Sequence, residues 1–168
     1  MTLNNPQKLD SPRLKLRHER SAGAIVYRKK GRTILVYLQL DSFHKWAAPK
    51  GRIQATETDE VAALRELEEE TGMKDGQIEG DLGMITLKFK RKNFLVKKNV
   101  HYFLVRVPWN SQVILQRRTS GRGERLYGYR WVPLKKAPKV SDYENMQPVI
   151  KLAGDLLTAR FGKDQVVV

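Results

Sequence analysis

The chain reads as one α/β domain in which a mixed β-sheet packs between helices. Three observations predict it. Thr33–Leu40 (T-I-L-V-Y-L-Q-L) is nearly all apolar and β-branched, the pattern of a strand covered on both faces. Residues 58–71 are rich in Ala, Leu and Glu and stop at Gly72, the pattern of a helix. Further strand patterns lie between that helix and a second helical stretch near the C-terminus. A length of 168 residues suits one domain that buries its core without staples.

The elements follow in order. Residues 1–19 are polar and contain Pro6 and Pro12, so a mobile basic arm is expected there, with the domain proper over 20–168. Residues 21–28 (S-A-G-A-I-V-Y-R) form a strand that Gly31 ends. After Thr33–Leu40, residues 43–51 make a loop shaped by Pro49 and Gly51. Thr56 or Thr58 caps the helix. Residues 77–90 and 100–107 are strands paired around a basic turn, 91–98. Residues 129–133 are a short strand. A final helix over 141–161 places Val149, Leu152, Leu156 and Leu157 on one side.

Composition narrows the function. Without cysteine there is no disulfide framework, thiolate metal site or Cys nucleophile. No apolar run is long enough for a membrane span, and no secretory h-region is visible, so a cytoplasmic protein without a membrane partner is expected. The net charge is +14, yet residues 57–70 hold seven acids and one base. That segment is −6, which leaves +20 on the rest. A basic body around one acidic segment steers polyanions, or serves solubility alone.

The acids cluster. With Val61 at zero and about 100° per residue, Glu69 falls at about 80°, Glu66 at about 140° and Glu70 at about 180°. Val61, Ala63, Leu64 and Leu67 lie opposite, which predicts an apolar stripe on the core and an acid triad facing out. The Glu66–Glu70 pair costs about 0.2–0.5 kcal/mol as an i,i+4 like-charge contact. The helix C-terminal half disfavours negative charge as well. A divalent cation reverses the sign of these terms, and hard oxygen ligands suit Mg²⁺ or Mn²⁺. A solvated acidic face offset by the basic body is the other reading.

Spacing decides between them. Gly51, five residues, Glu57, seven residues, then Arg65-Glu66-Leu67-Glu68-Glu69-Glu70-Thr71-Gly72-Met73 resembles the Nudix box in every defined position. At about 7% for each of seven fixed identities, chance agreement is about 10⁻⁸ per start site. The strand order and the C-terminal helix also resemble that family's α/β/α sandwich. The resemblance implies a Mg²⁺-dependent hydrolase, with Mn²⁺ as substitute, in which water attacks phosphorus in a diphosphate. It implies Glu66, Glu69 and Glu70 as metal ligands with the Gly51 carbonyl. Arg65 would orient the acids, and Glu57 would brace the loop–helix–loop. The general base stays open among Glu66, Glu69, Glu70 and an acid on a later loop, for which Glu124 is the candidate.

Substrate clues lie outside the box. The run His44-Lys45-Trp46-Ala47-Ala48-Pro49-Lys50-Gly51 is similar to the asymmetric dinucleoside tetraphosphate (Ap4A) hydrolases and to the diphosphoinositol polyphosphate hydrolases. That likeness implies phosphate contacts for His44 and Lys50; Trp46 reads as core. Lys88, Lys90, Arg91, Lys92, Lys97 and Lys98, with Arg117, Arg118, Arg122 and Arg125, would cradle a phosphate chain if their loops rim the acids, or remain solvated turns. Tyr129 and Trp131 share a strand face, and Tyr129-Arg130-Trp131 resembles the stretch where an Ap4A hydrolase aromatic stacks on adenine. The leading expectation is cleavage of diadenosine tetraphosphate to ATP and AMP. A triphosphorylated RNA 5′ end and an inositol pyrophosphate are the alternative substrates. A non-catalytic binding module is disfavoured because every ligand position is intact.

Overall fold

The structure is a computed structural model that describes residues 14–115 and 126–162. Its strands are β1 (Lys15–Lys30), β2 (Thr33–Leu40), β3 (Trp46–Ala47), β4 (Lys50–Arg52), β5 (Gln77–Arg91), β6 (Phe94–Arg106) and β7 (Gly128–Pro133). Its helices are α1 (Asp59–Thr71), α2 (Ala137–Val140) and α3 (Gln147–Phe161), with a 3-10 turn at Glu144–Met146. All seven strands join one sheet in the order β3-β2-β1-β6-β5, with β4 on β1 and β7 on β2. The sheet is mixed: β1 runs parallel to β6 and antiparallel to β2 and β4.

Alternation along β1 sorts the two layers. Ala22, Ala24 and Val26 pack with Ala62, Ala63 and Leu67 of α1. Ile25 and Tyr27 face the other way, into a larger core with Ala137, Ile150, Ala153 and Leu157 of α2 and α3. The expected α/β/α sandwich is therefore present, and Thr33–Leu40 is the inner strand β2, flanked by β1 and β7.

Four expectations are corrected. Residues 15–19, expected in the arm, begin β1; there they pair with β6 from Lys15↔Phe94 to Glu19↔Lys98. Glu19 is buried among Arg17, Arg52 and Arg91 (3.5, 3.1 and 2.9 Å), so paired charges let a polar stretch join the sheet. Residues 1–13 lie outside the described part. The expected basic turn 91–98 shrinks to Lys92-Asn93 between β5 and β6, with Lys92 at φ 51°. A two-residue hairpin turn uses that left-handed conformation. The last helix starts at Gln147 rather than 141, because Pro148 in its first turn suits a helix start and not an interior. Its buried face is Val149, Ile150, Ala153 and Leu157, whereas Leu152 and Leu156 are exposed. Among the described residues no helix is long and apolar enough to cross a membrane.

The fourth correction concerns α1. Thr58 caps it, accepting from the Val61 N–H at 3.3 Å, and Gly72 closes it at φ 74°. Its buried residues are Ala62, Ala63, Glu66, Leu67, Glu70 and Thr71. That arc is rotated from the apolar stripe towards the acids, and Val61 is 53% exposed. Alanines at 62 and 63 are small enough to let the helix settle close to β1, which turns Glu66 and Glu70 inward.

The first turn of α1 is pinned to the sheet. His101 of β6 bonds Asp59 through Nδ1 and Asp81 through Nε2, both at 2.9 Å, and Arg20 reaches Asp59 at 2.7 Å. Burial opposes protonation of His101, but the bonds to Asp59 and Asp81 outweigh it and raise its pKa. A group raised in the folded state stabilises fully below its unfolded pKa of about 6.5 and loses that contribution as pH rises through the folded value. The thermal-stability advantage of the wild type over His101→Gln should therefore be greatest below about pH 6.5 and shrink in alkali. A pH-independent difference in melting temperature would remove the charged clamp.

Candidate active site

The acidic face of α1 meets the loop through Arg65. Its guanidinium Nε and Nη2 both donate to Glu57, the latter at 2.9 Å, and Nη2 also donates to the Arg52 carbonyl at 2.8 Å. Nη1 donates to Glu66 at 2.8 Å and to Glu69 at 3.3 Å. One planar fork thus joins three carboxylates and the loop backbone, a task a lysine ammonium cannot match. The bond to Glu57 outweighs partial burial and holds the guanidinium well above its ordinary pKa. Glu57 is held below the usual carboxylate range by Arg65 and by the Gln54 N–H at 2.9 Å.

Glu66 is buried against Gly51. A Cβ built on Gly51 would stand 1.8 Å from Glu66 Cδ and 2.1 Å from both carboxylate oxygens. Only glycine leaves that room. The pairing of Gly51 with Ala22 sets β4 on the α1 face at this point. Glu70 is buried too, and accepts from Gln39 Nε2 at 2.7 Å and from the Lys50 N–H at 3.3 Å. Glu69 is the open member, with its side chain 41% exposed. Glu66, Glu69, Glu70 and Gly51 are therefore brought to one place. Among the described residues, though, no three His, Asp or Glu side chains converge as a ready-made metal cluster. Each acid is instead engaged with Arg65, Gln39 or the β4 backbone.

Behind β4, on the opposite face of the sheet, lies a cleft of about 440 Å³. Lys50, Lys98 and Arg91 stand at it with Phe43, Tyr102 and Tyr143. Lys97 is not in that company. Successive strand residues point to opposite faces, so Lys97 lies on the α1 side, beside His18 and opposite Lys88. The basic cradle expected from the sequence is thus split between two faces. Arg117, Arg118, Arg122, Arg125 and Glu124 lie outside the described residues.

The aromatic residues separate as well. Trp46 is half-buried against the larger core, with the Arg130 guanidinium 3.7 Å above its ring. Tyr129 is 44% exposed and stacks on Tyr37 at 5.9 Å, while Trp131 meets Tyr37 edge-on at 5.5 Å. His44 is exposed at φ 57°, and its ring lies 4.4 Å from Tyr127. The loop carrying His44 is folded by Asp41, whose buried carboxylate accepts from the N–H groups of Phe43 (2.9 Å) and Lys45 (3.0 Å). Sequence reasoning missed Gln39 and Asp41. An Asp directly after a strand is a turn signal for Asp41. A polar residue in an otherwise apolar strand, T-I-L-V-Y-L-Q-L, was the available signal for Gln39.

An acid-bearing loop–helix–loop laid on a mixed sheet, with one arginine forked among its carboxylates, defines a Nudix hydrolase. The NUDIX domain model matches residues 17–153, and the chain belongs to that family. The asymmetrical bis(5'-nucleosyl)-tetraphosphatase of Rattus norvegicus is 28% identical over 145 residues, covering 79% of this chain and 90% of that one. A Mycobacterium tuberculosis relative is 29% identical over 154 residues, where the match covers 88% of this chain but 59% of the relative's length. A C. elegans Ap4A hydrolase binary complex has a TM-score of 0.68 at 26% identity, covering 84% of this chain and 98% of that one.

Because the Glu66 carboxylate occupies the space a Cβ would need, Gly51→Ala should lower the melting temperature by several degrees, from an overpacking cost of about 1–3 kcal/mol. It should remove hydrolytic activity as well. A variant with wild-type stability and turnover would show that the Gly51–Glu66 contact is dispensable.

Proposed function

We propose that the chain hydrolyses a phosphoanhydride bond in a nucleoside polyphosphate with the help of a divalent cation, and that diadenosine tetraphosphate, cut to ATP and AMP, is its leading substrate. The observation that carries this reading is the Arg65 fork, which gathers Glu57, Glu66 and Glu69 beside the glycine that seats Glu66. The donor set fits Mg²⁺, with Mn²⁺ as substitute: it offers carboxylate and main-chain oxygens, and Gly51 leaves Glu66 the room to serve. Glu66, Glu69, Glu70 and the Gly51 carbonyl would hold the ion. When bound, such an ion lowers the pKa of water and offsets phosphate charge.

The chain's own groups have distinct tasks in this reading. Arg65 keeps its charge at every working pH and fixes the Glu66 and Glu69 rotamers. Glu57 fastens Arg65 to the loop. The N–H of Lys50 bonds Glu70, so β4 joins the cleft to the acids. Lys50 and Lys98 present ammonium groups to the part of a phosphate chain that runs from the acids past β4 into the cleft, whose apolar wall of Ile85, Leu87 and Phe89 takes flatter groups. His44 stands exposed on its loop for contact with the phosphate chain, and Tyr129 stands exposed on β7 for contact with a nucleoside base. The likeness to the rat tetraphosphatase and the C. elegans hydrolase supports the choice of substrate.

A second reading is removal of pyrophosphate from triphosphorylated RNA 5′ ends. Lys88 and Lys97, directly paired across β5 and β6, favour it. Like charges so placed are destabilising, and a polyanion on that face would relieve them.

Incubation with diadenosine tetraphosphate, 5′-triphosphate RNA and a diphosphoinositol polyphosphate, with and without Mg²⁺, separates these substrates by their products. ATP plus AMP, formed only with metal, is the expected outcome; no turnover on any of the three would leave a binding module. Glu69→Gln should keep the fold and lose turnover by orders of magnitude, and wild-type rates in that variant would end its assignment as a ligand. Lys98→Ala should raise KM most for the longest phosphate chains, whereas Lys97→Ala should leave KM for diadenosine tetraphosphate unchanged. Equal effects of the two would contradict the division between faces.

A further inference from the structure

Arg65 bonds Glu66 and Glu69, and the orientation of buried Glu70 has a source on another strand. Gln39 is 2% exposed and sits on β2, the strand next to β1. Its Nε2 donates to Glu70 Oε2 at 2.7 Å, a short bond to an ionised acceptor. The opposite end of the amide, Oε1, faces the Tyr37 hydroxyl at 3.5 Å. Tyr37 is buried and wedged between Tyr129 and Trp131, so its hydroxyl has little freedom. Burial, followed by the charge of Glu70, pushes its pKa up, so it stays protonated and donates.

These contacts fix a direction. A flipped Gln39 amide would set its carbonyl oxygen against Glu70 Oε2, acceptor facing acceptor. The hydrogen bonds therefore run one way, from Tyr37 to Gln39 to Glu70. The Lys50 N–H adds a second donor to the same carboxylate oxygen. A buried amide could instead be held for packing, but then its donor would not need to end on an acid of the catalytic helix.

Resting on the proposed metal-binding role of the carboxylates, we propose that Gln39 is a positioning residue that holds Glu70 in the rotamer that takes the divalent cation. Partners of this kind, hydrogen-bonded to a ligand, typically account for about 10–100-fold in metal affinity. Met at position 39 keeps the length and loses the donor, so it separates packing from positioning.

The test is calorimetric titration of Mn²⁺ into the chelator-treated chain, with melting temperature followed in parallel. Gln39→Met should keep its melting temperature within a few degrees and bind Mn²⁺ at least about 10-fold more weakly. Its turnover at low metal should fall, and should recover in part at high metal, with KM for the nucleotide unchanged. A folded Gln39→Met that binds Mn²⁺ like the wild type overturns the proposal. So does one that loses stability but keeps metal affinity. If Gln39→Met does not fold, Gln39→Leu decides by the same titration, since it also removes the donor to Glu70. Mn²⁺ binding weaker by about 10-fold or more supports the proposal, and unchanged affinity overturns it. Failure of the wild-type chain to take up Mn²⁺ would overturn the reading of the carboxylates themselves. Uptake by the wild type with no change in the variants would overturn only the role of Gln39.

Discussion

The Glu66 carboxylate lies in the space that a side chain at position 51 would fill, and the rest of the site depends on that contact. It requires α1 to lie close to β4, and the small residues Ala62 and Ala63 against β1 make that approach possible. Close approach turns two acids inward, at a cost in desolvation and like-charge repulsion. Arg65 offsets part of that cost by bonding Glu66 and Glu69 from the side while anchoring to Glu57 and the Arg52 carbonyl. An arrangement that buries acids beside one another is poor design for stability alone. It is reasonable design for holding a cation.

The sheet supplies the frame on which these contacts are set. β1 meets β4 along one half of its edge and β2 along the other, so Gly51 and Gln39 arrive from different strands at the same helix. Glu66 answers to β4 and Glu70 to β2. At the far end of α1, Asp59 answers to β1 and β6 through Arg20 and His101. Three separate contacts thus fix the helix along its length, which a single apolar stripe would not do.

Much of this was legible in the sequence, for physical reasons that differ by residue. Thr58, Gly72 and the Ala/Leu/Glu content marked α1 because capping and propensity are local. The positions of Gly51, Glu57, Arg65 and the three glutamates could be read because their spacing is fixed by one loop and one helix. The rotation of α1 was not legible. A helical wheel ranks faces by hydrophobicity, whereas here alanine size and a glycine on another strand decide which face is buried. Lys97 and Lys98 were grouped together because they are adjacent in sequence, yet a strand sends them to opposite faces. Gln39 and Asp41 carry local signals, a polar residue in an apolar strand and an Asp after a strand, but the Glu70 that Gln39 bonds and the Asp59 that His101 bonds are distant in sequence, and no local pattern marks those pairings.

The central claim is that these oxygens hold a divalent cation at the point where α1 meets β4. Anomalous diffraction from crystals soaked in Mn²⁺ tests it most directly. A peak is expected about 2.1 Å from carboxylate oxygens of Glu66 and of Glu69 or Glu70, and beside the Gly51 carbonyl. A fully soaked crystal with no peak there, or with manganese bound only elsewhere on the surface, would contradict it.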